Sequence, residues 1–334
     1  MKTPLKLTGV FIGLFLLLVA LFLAGLFIGS KATSFAEVAR VFSAQGSEQI
    51  TDLVLNQRLP RTLIALITGI ALGVAGIVMQ LVGKNPLADP GILGINAGAA
   101  LSVAISMAVF GMVSLNQIVW FAILGAFLAS AIVYLLASGA RSAASPGRLI
   151  LAGTALTAVL LAMTNAVVLY NPQAFDTFRF WTVGGLEGRN WETFSSTIGF
   201  FAGGLILAFL CWPSFNALDL GDDSATQLGV KVGLVKTVGL LSMTMLCGAA
   251  VAAVGPISFL ALAVPHLAKA LVGPDYRLIV PMGVLVGPIF MLSADLVGRV
   301  IARPAEVEVG IVVAVVGAPI FIYQVLHNRK VQRA

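Results

Sequence analysis

Residues 56–100 read NQRLPRTLIALITGIALGVAGIVMQLVGKNPLADPGILGINAGAA. Arg58 and Arg61 head an apolar run of membrane length, in which Gly69, Gly73 and Gly76 are spaced for close approach by another helix. A polar break holding Pro86 and Pro90 follows, and then a second helix rich in small residues. Irregular backbone near membrane depth is tolerated only where protein or a water-lined cavity satisfies its polar groups. The pattern therefore belongs to a chain that lets something polar cross a bilayer.

Composition agrees. Of 334 residues, 59% are hydrophobic and 10% charged, and the mean hydropathy is +1.02, far outside the range of a soluble domain. At roughly 20 apolar residues per crossing, the chain has room for about ten spans. Its continuous apolar runs point to helices rather than the alternating segments of a barrel, so the fold class is an all-α polytopic membrane protein in one domain, residues 1–334. Cys211 and Cys247 lie in apolar runs as packing residues, and His266 and His327 are too few and too separate for a metal cluster. The net charge of +6 reads as loop charge that sets topology, not as a nucleic-acid surface.

Taken in order, residues 8–29 form a retained first span entering from the cytoplasm, and Ser34 to Phe42 an interfacial helix. The second span runs from Arg61 to near Val82, the third from about Gly91 to Val113, the fourth from about Gln117 to Ala137. A cytoplasmic loop holding Arg141 and Arg148 precedes a fifth span, Leu149 to Leu169. An aromatic outer loop, 170–192, follows; its Trp181 and Trp191 read equally as interfacial belt residues or as lining of an entrance. The sixth span, Thr193 to Trp212, leads into the longest internal polar segment, 214–236, and spans follow near Val235–Val254, Pro256–Val272, Leu278–Gly298 and Val309–Leu326. Both termini then lie in the cytoplasm, with the larger share of lysine and arginine on that side.

In residues 214–236, Asp222, Asp223 and Ser224 suit the start of a short helix on the inner surface. It reads either as a docking element for a cytoplasmic partner or as a solvated connector. GVKVGLVKT, 229–237, has the wrong spacing for a P-loop and follows no strand, so ATP chemistry belongs to another subunit. Asp295, Glu306, Glu308, His266 and Lys269 lie closest to membrane depth and are functional candidates on that ground. Asp295 also precedes Arg299 by one helical turn, where a local ion pair accounts for both. Arg58, Arg61 and Arg299 fall on the outer surface in this topology, either as lone cations or as a docking face for acidic groups.

The stretches RLPRTL, NPLADPGILGINAGA, LILAGTAL, FWTVGGL, DDSATQLGV, VGPISFLALAVPHLAKALVG, ADLVGR and VGAPIFI occur in this order from residue 58 to 322. Together they resemble the permease subunits of iron-siderophore and vitamin B12 ABC importers. LYNPQAFDTFRFW and ARPAEVEVG are most similar to ferric-enterobactin, catecholate-siderophore permeases. Glu308 and Lys269 depart from the pattern, standing where proline and arginine are common.

The resemblance implies a type II ABC importer permease of ten helices, without enzymatic activity or cofactor, in the bacterial inner membrane. It implies pairing with a second permease subunit, a homologous heterodimer by preference, with two ATPase subunits that bind ATP and with a periplasmic binding protein. Iron enters only inside the substrate chelate. Arg58, Arg61 and Arg299 would meet acidic residues of the binding protein. Asp219, Leu220, Gly221, Asp222, Asp223, Ala225, Leu228, Gly229 and Val230 would couple to the ATPase. Asn85, Pro86, Leu87 and Asp89, with Ser142 and Ser145, would lie near the cytoplasmic gate, and the fifth and tenth spans would flank the pathway. Haem or cobalamin is the alternative substrate. A proton-coupled secondary transporter using Asp89, Asp295, Glu306 and His266 is the alternative mechanism.

Overall fold

The computed structural model describes residues 4–29, 33–43, 46–111, 114–138 and 146–331. Every regular element among them is helical: α1 Pro4–Phe27, α2 Phe35–Phe42, α3 Glu48–Asp52, α4 Leu59–Val82, α5 Ile95–Phe110, α6 Leu115–Ala137, α7 Pro146–Leu169, α8 Pro172–Val183, α9 Trp191–Cys211, α10 Phe215–Asp219, α11 Asp222–Gln227, α12 Val232–Val254, α13 Leu260–Val272, α14 Tyr276–Ile301 and α15 Val309–Val331. A π-helical turn, Leu53–Arg58, joins α3 to α4 without a break. Among the described residues seven helices are long and apolar enough to cross a membrane, and the apolar helices α5, α13 and α15 bring the expected ten.

Sequence chemistry places the ends. Ser34 and Glu37 close a reciprocal capping box on α2. Asp89 accepts from Gly91 N and starts the short 3-10 turn Pro90–Leu93, and Asn190 caps α9. Residues 172–183, expected as loop, are a helix: Asn171 Oδ1 accepts from Ala174 N at 3.0 Å, and Pro172 sits in the first turn. The polar segment expected to hold one short helix holds two, α10 and α11, because Gly221 turns the chain between them at φ 108°. The second of these begins at Asp222 itself, with no side-chain cap.

Within their most apolar windows, α4, α12 and α14 are 78%, 72% and 61% buried, whereas α1 and α7 are 17% and 11% buried. Three central helices therefore carry much of the core, while α1 and α7 face outward. Contact between α4 and α14 is backbone to backbone, at Gly69 against Pro288 and Gly287 against Gly69 O. Small residues permit that approach where lipid gives no hydrophobic drive to associate. On the next turn but one, a methyl group at Gly76 would collide with the Ala261 carbonyl of α13. Gly76→Val is expected to abolish the folded, monodisperse species in detergent chromatography. Gly13→Ala, where nothing lies within 4 Å, is expected to leave it unchanged; equal behaviour of the two would refute this packing.

Candidate functional site

The last carbonyls of any helix lack partners within it and carry partial negative charge. At the end of α1 they are taken by arginines from distant parts of the chain. Arg58 Nη1 donates to Leu26 O at 3.0 Å, to Phe27 O at 2.9 Å and to Thr33 Oγ1 at 2.7 Å. Arg299 Nη1 donates to Gly25 O at 2.8 Å and Ile28 O at 3.1 Å, and Arg303 Nη2 to Gly29 O at 2.8 Å. An outward-facing helix is thereby pinned to α4 and α14.

Beside this clamp, Asp295 lies between two guanidinium groups. Arg61 reaches its Oδ1 through Nη2 at 2.7 Å and Nε at 3.1 Å, and Arg299 Nη2 pairs with its Oδ2. The other nitrogen of Arg61, Nη1, donates to Glu306 Oε2 at 2.7 Å. The lone-cation reading of the three arginines is thus corrected: Arg58 is 4% exposed and Arg299 1% exposed, and only Arg61, with a side chain 14% exposed, has both a charged partner and an outlet. For Asp295 the local ion pair holds, with Arg61 as a partner the sequence did not disclose.

The cluster borders a cavity of about 260 Å³ lined by Arg58, Arg61, Glu187, Arg189, Arg299 and Glu306, among others. Arg299 Nε is buried there with no hydrogen-bond partner among the described residues. A second cavity, of about 170 Å³, shares Glu187 and Arg189 and adds Thr177, Phe180, Trp181 and Glu308. Burial works against the charge on Arg189, and Glu308 supports it. Burial first, and then Glu187, push the Glu308 carboxyl above its usual range against the pull of Arg189. Buried Arg189 and the clamp residue Arg303 were missed in the sequence, where neither falls in a periodic pattern. Trp181 is a core residue stacked on Phe178 at 5.9 Å, while half-exposed Trp191 donates through Nε1 to Leu55 O at 2.9 Å.

At the opposite end of the bundle, α4 ends in a turn, residues 83–89. Asn85 Oδ1 accepts from Leu87 N at 2.9 Å, Pro86 O meets His266 Nε2 at 2.8 Å, and Leu87 is exposed. Asp89 is spent on capping, and burial pushes its carboxyl up, opposed by the Gly91 N–H. Ser142 and Ser145 lie outside the described residues. In the polar segment Asp219 accepts from Tyr276 Oη at 3.3 Å. Ala225 is buried and its carbonyl accepts from Val230 N at 2.9 Å, closing the turn through Gly229 at φ 83°. Leu220 and Leu228 are 67% and 65% exposed, two apolar side chains on either flank of α11, whose first turn carries Asp222 and Asp223.

Comparison with known proteins fits this architecture. The model of the FecCD transport family matches residues 16–327. The chain is 43% identical over 315 residues to the ferric enterobactin transport system permease protein FepD of Escherichia coli K12, covering 94% of this chain and 93% of that one. It is 34% identical over 322 residues to the hemin transport system permease protein HmuU of Yersinia pestis, covering 95% of each. Among solved structures, an inward-facing metal-chelate type ABC transporter superposes with a TM-score of 0.81 at 31% identity, covering 96% of this chain and 99% of that one.

Removing one member of a buried ion pair strands its partner and costs about 3–5 kcal/mol, whereas an exposed contact is worth about 1 kcal/mol or less. Arg299→Ala, which leaves Asp295 Oδ2 and two α1 carbonyls without their donor, is therefore expected to lower the thermal midpoint in detergent far more than Arg303→Ala at the exposed rim. Equal shifts would mean that the cluster does not hold the helices together.

Proposed function

The chain belongs to the FecCD transport family, and from that premise we propose that it is the membrane-spanning subunit of an importer that carries a ferric siderophore of the catecholate type into the cytoplasm. The observation that carries the substrate class is the 43% identity, over nearly the whole chain, to a ferric enterobactin permease. The hemin permease, at 34%, supports the coarser class and makes haem the second reading. Nothing here performs bond chemistry: the chelate is cargo, and ATP is bound and hydrolysed on two partner subunits. The setting is the bacterial inner membrane, with both termini in the cytoplasm and a binding protein on the far side.

On this reading the two ends of the bundle have different partners. Carboxylates of the binding protein approach the cavity lined by Arg58, Arg61 and Arg299, and Arg61 is the residue that answers, because it and its partner Glu306 keep 14% and 12% of their side chains exposed. Arg58 and Arg299 supply field from behind, since their hydrogen bonds already go to α1 and Asp295. At the other end, Asp219, Leu220, Gly221, Asp222, Asp223, Ala225, Leu228, Gly229 and Val230 form the surface that meets the ATPase, with Leu220 and Leu228 as its apolar contacts. The turn 85–89 lies where a cytoplasmic gate is needed. The outward apolar faces of α7, at Leu151, Val159 and Leu161, and of α15, at Ile311 and Val315, suit a second permease subunit, homologous but not identical, across the pathway. ATP binding would rock the two halves as rigid bodies. A proton relay is poorly served, because Asp295 and Glu306 are both held by arginine.

Uptake of labelled ferric enterobactin into proteoliposomes tests the proposal, with the permease pair and ATPase reconstituted, binding protein outside and ATP inside. Accumulation that requires ATP is expected. Uptake of haem alone would leave the class standing and replace the substrate, and uptake driven by a proton gradient without ATPase would overturn it. Glu306→Ala, which frees Arg61 Nη1 while Asp295 keeps its other two nitrogens, is expected to tighten binding-protein affinity, and Arg61→Ala to weaken it by roughly tenfold, about 1.4 kcal/mol. Unchanged affinity in both would place docking elsewhere.

A further inference from the structure

The segment of residues 212–231 is fastened to the bundle in two different ways. Its first half is locked to the start of α14. Trp212 Nε1 donates to Tyr276 O at 2.8 Å, Asn216 Nδ2 to Asp275 Oδ1 at 2.7 Å, and Tyr276 N to Asn216 Oδ1 at 2.9 Å. Phe215 packs edge-on against the Tyr276 ring at 6.2 Å, and the Lys269 ammonium sits 5.3 Å from the same ring's centroid. That half cannot shift without α14.

The second half, α11, buries Ala225 and is tied by charge to the bundle through one carboxylate. Asp222 Oδ2 accepts from Lys236 Nζ, at the start of α12, at 2.6 Å. Its Oδ1 has no donor of hydrogen-bonding geometry among the described residues and is held by the Lys84 ammonium as an ion pair at 2.9 Å. Lys84 belongs to the turn that ends α4, two residues before Pro86, whose carbonyl meets His266 of α13. Between the locked half and α11 lies Gly221, at φ 108°, where the chain bends with little resistance. Lys84 itself stands at φ 46°, a conformation that glycine adopts at no steric cost and lysine adopts under strain.

We propose that Asp222 and Lys84 are positioning residues for transport: their ion pair transmits displacement of α11 to the turn 83–89 and so to the position of α5 and α13 at that end of the pathway. The inference rests on the reading of residues 219–230 as the ATPase-facing surface. In mechanical terms, α10 is the fixed pivot, Gly221 the hinge, α11 the lever and Lys84 its attachment to the gate. A pair that spans two moving parts acts differently from a surface ion pair within one rigid body, because it biases where one part stands when the other moves.

The test uses the full complex in proteoliposomes and reads chelate imported and ATP hydrolysed separately. Lys84→Gly removes the ammonium and suits the local backbone, so a folding defect is not expected, and the thermal midpoint checks this. Lys84→Gly and Asp222→Asn are each expected to lower import per ATP by about fivefold, the low end of what coupling between sites delivers. In Lys84→Gly the ATPase rate should stay near wild type, the double variant should import no less per ATP than either single one, and Lys84→Arg should restore most of the loss. Wild-type import per ATP in Lys84→Gly, or losses that multiply in the double variant, would overturn the link. Failure of the unaltered complex to couple import to ATP would instead refute the transport reading on which it rests.

Discussion

A carboxylate with 1% of its surface exposed is costly to bury in a bundle of apolar helices unless cations reach it, and two do. Asp295 on α14 draws Arg61 from the head of α4 and Arg299 from one turn further along its own helix. Once Arg299 is drawn inward, its remaining donors need acceptors, and the bare carbonyls of α1 supply them. The register of three helices at one end of the molecule follows from that chain of obligations. Desolvation makes such a network a poor source of net stability, yet breaking it at one point is costly. Its contribution is to specify geometry, which the glycine contacts between α4 and α14 then make compact.

How much of this the sequence discloses depends on whether the information is local. Spans were legible because hydropathy is a property of consecutive residues, and α2 was legible because Phe35, Val38 and Phe42 recur at helical spacing. Helix α8 carried a readable signal, Asn171-Pro172 followed by apolar side chains at 174, 178 and 181, but its aromatic residues read more readily as an entrance loop. The pairing of Asp295 with Arg299 was visible at one-turn spacing. Its pairing with Arg61 was not, since 234 positions separate them. The same holds for Arg58: an arginine before a membrane span reads as a surface charge, and only the end of α1 arriving beside it makes it a helix cap.

The two ends of the bundle also differ in kind. Around Arg61 the charged groups are buried, few in number and shared between three helices, which suits a surface that must keep its shape while a partner comes and goes. Around Asp222 they are half exposed, 43% for the carboxylate and 40% for Lys84, and join short elements separated by glycine. Burial first opposes ionisation of Asp222, and the lysines, Lys236 before Lys84, outweigh it and hold the carboxyl below its usual range. The ion pairs thus persist across neutral pH and weaken only as acid approaches that lowered value from above.

The clamp on α1 has a consequence for how the protein is made. Its first helix leaves the ribosome early, but two of the three arginines that cap it lie far behind, with 274 residues between Gly25 and Arg299. At about 5–20 residues per second of synthesis, the end of α1 waits roughly a quarter of a minute to a minute for those donors. During that interval its terminal carbonyls must be satisfied by Arg58, by water at the membrane surface or by the insertion machinery. Helix α1, made before α4 and α14, is therefore fixed in place only after both have been synthesised.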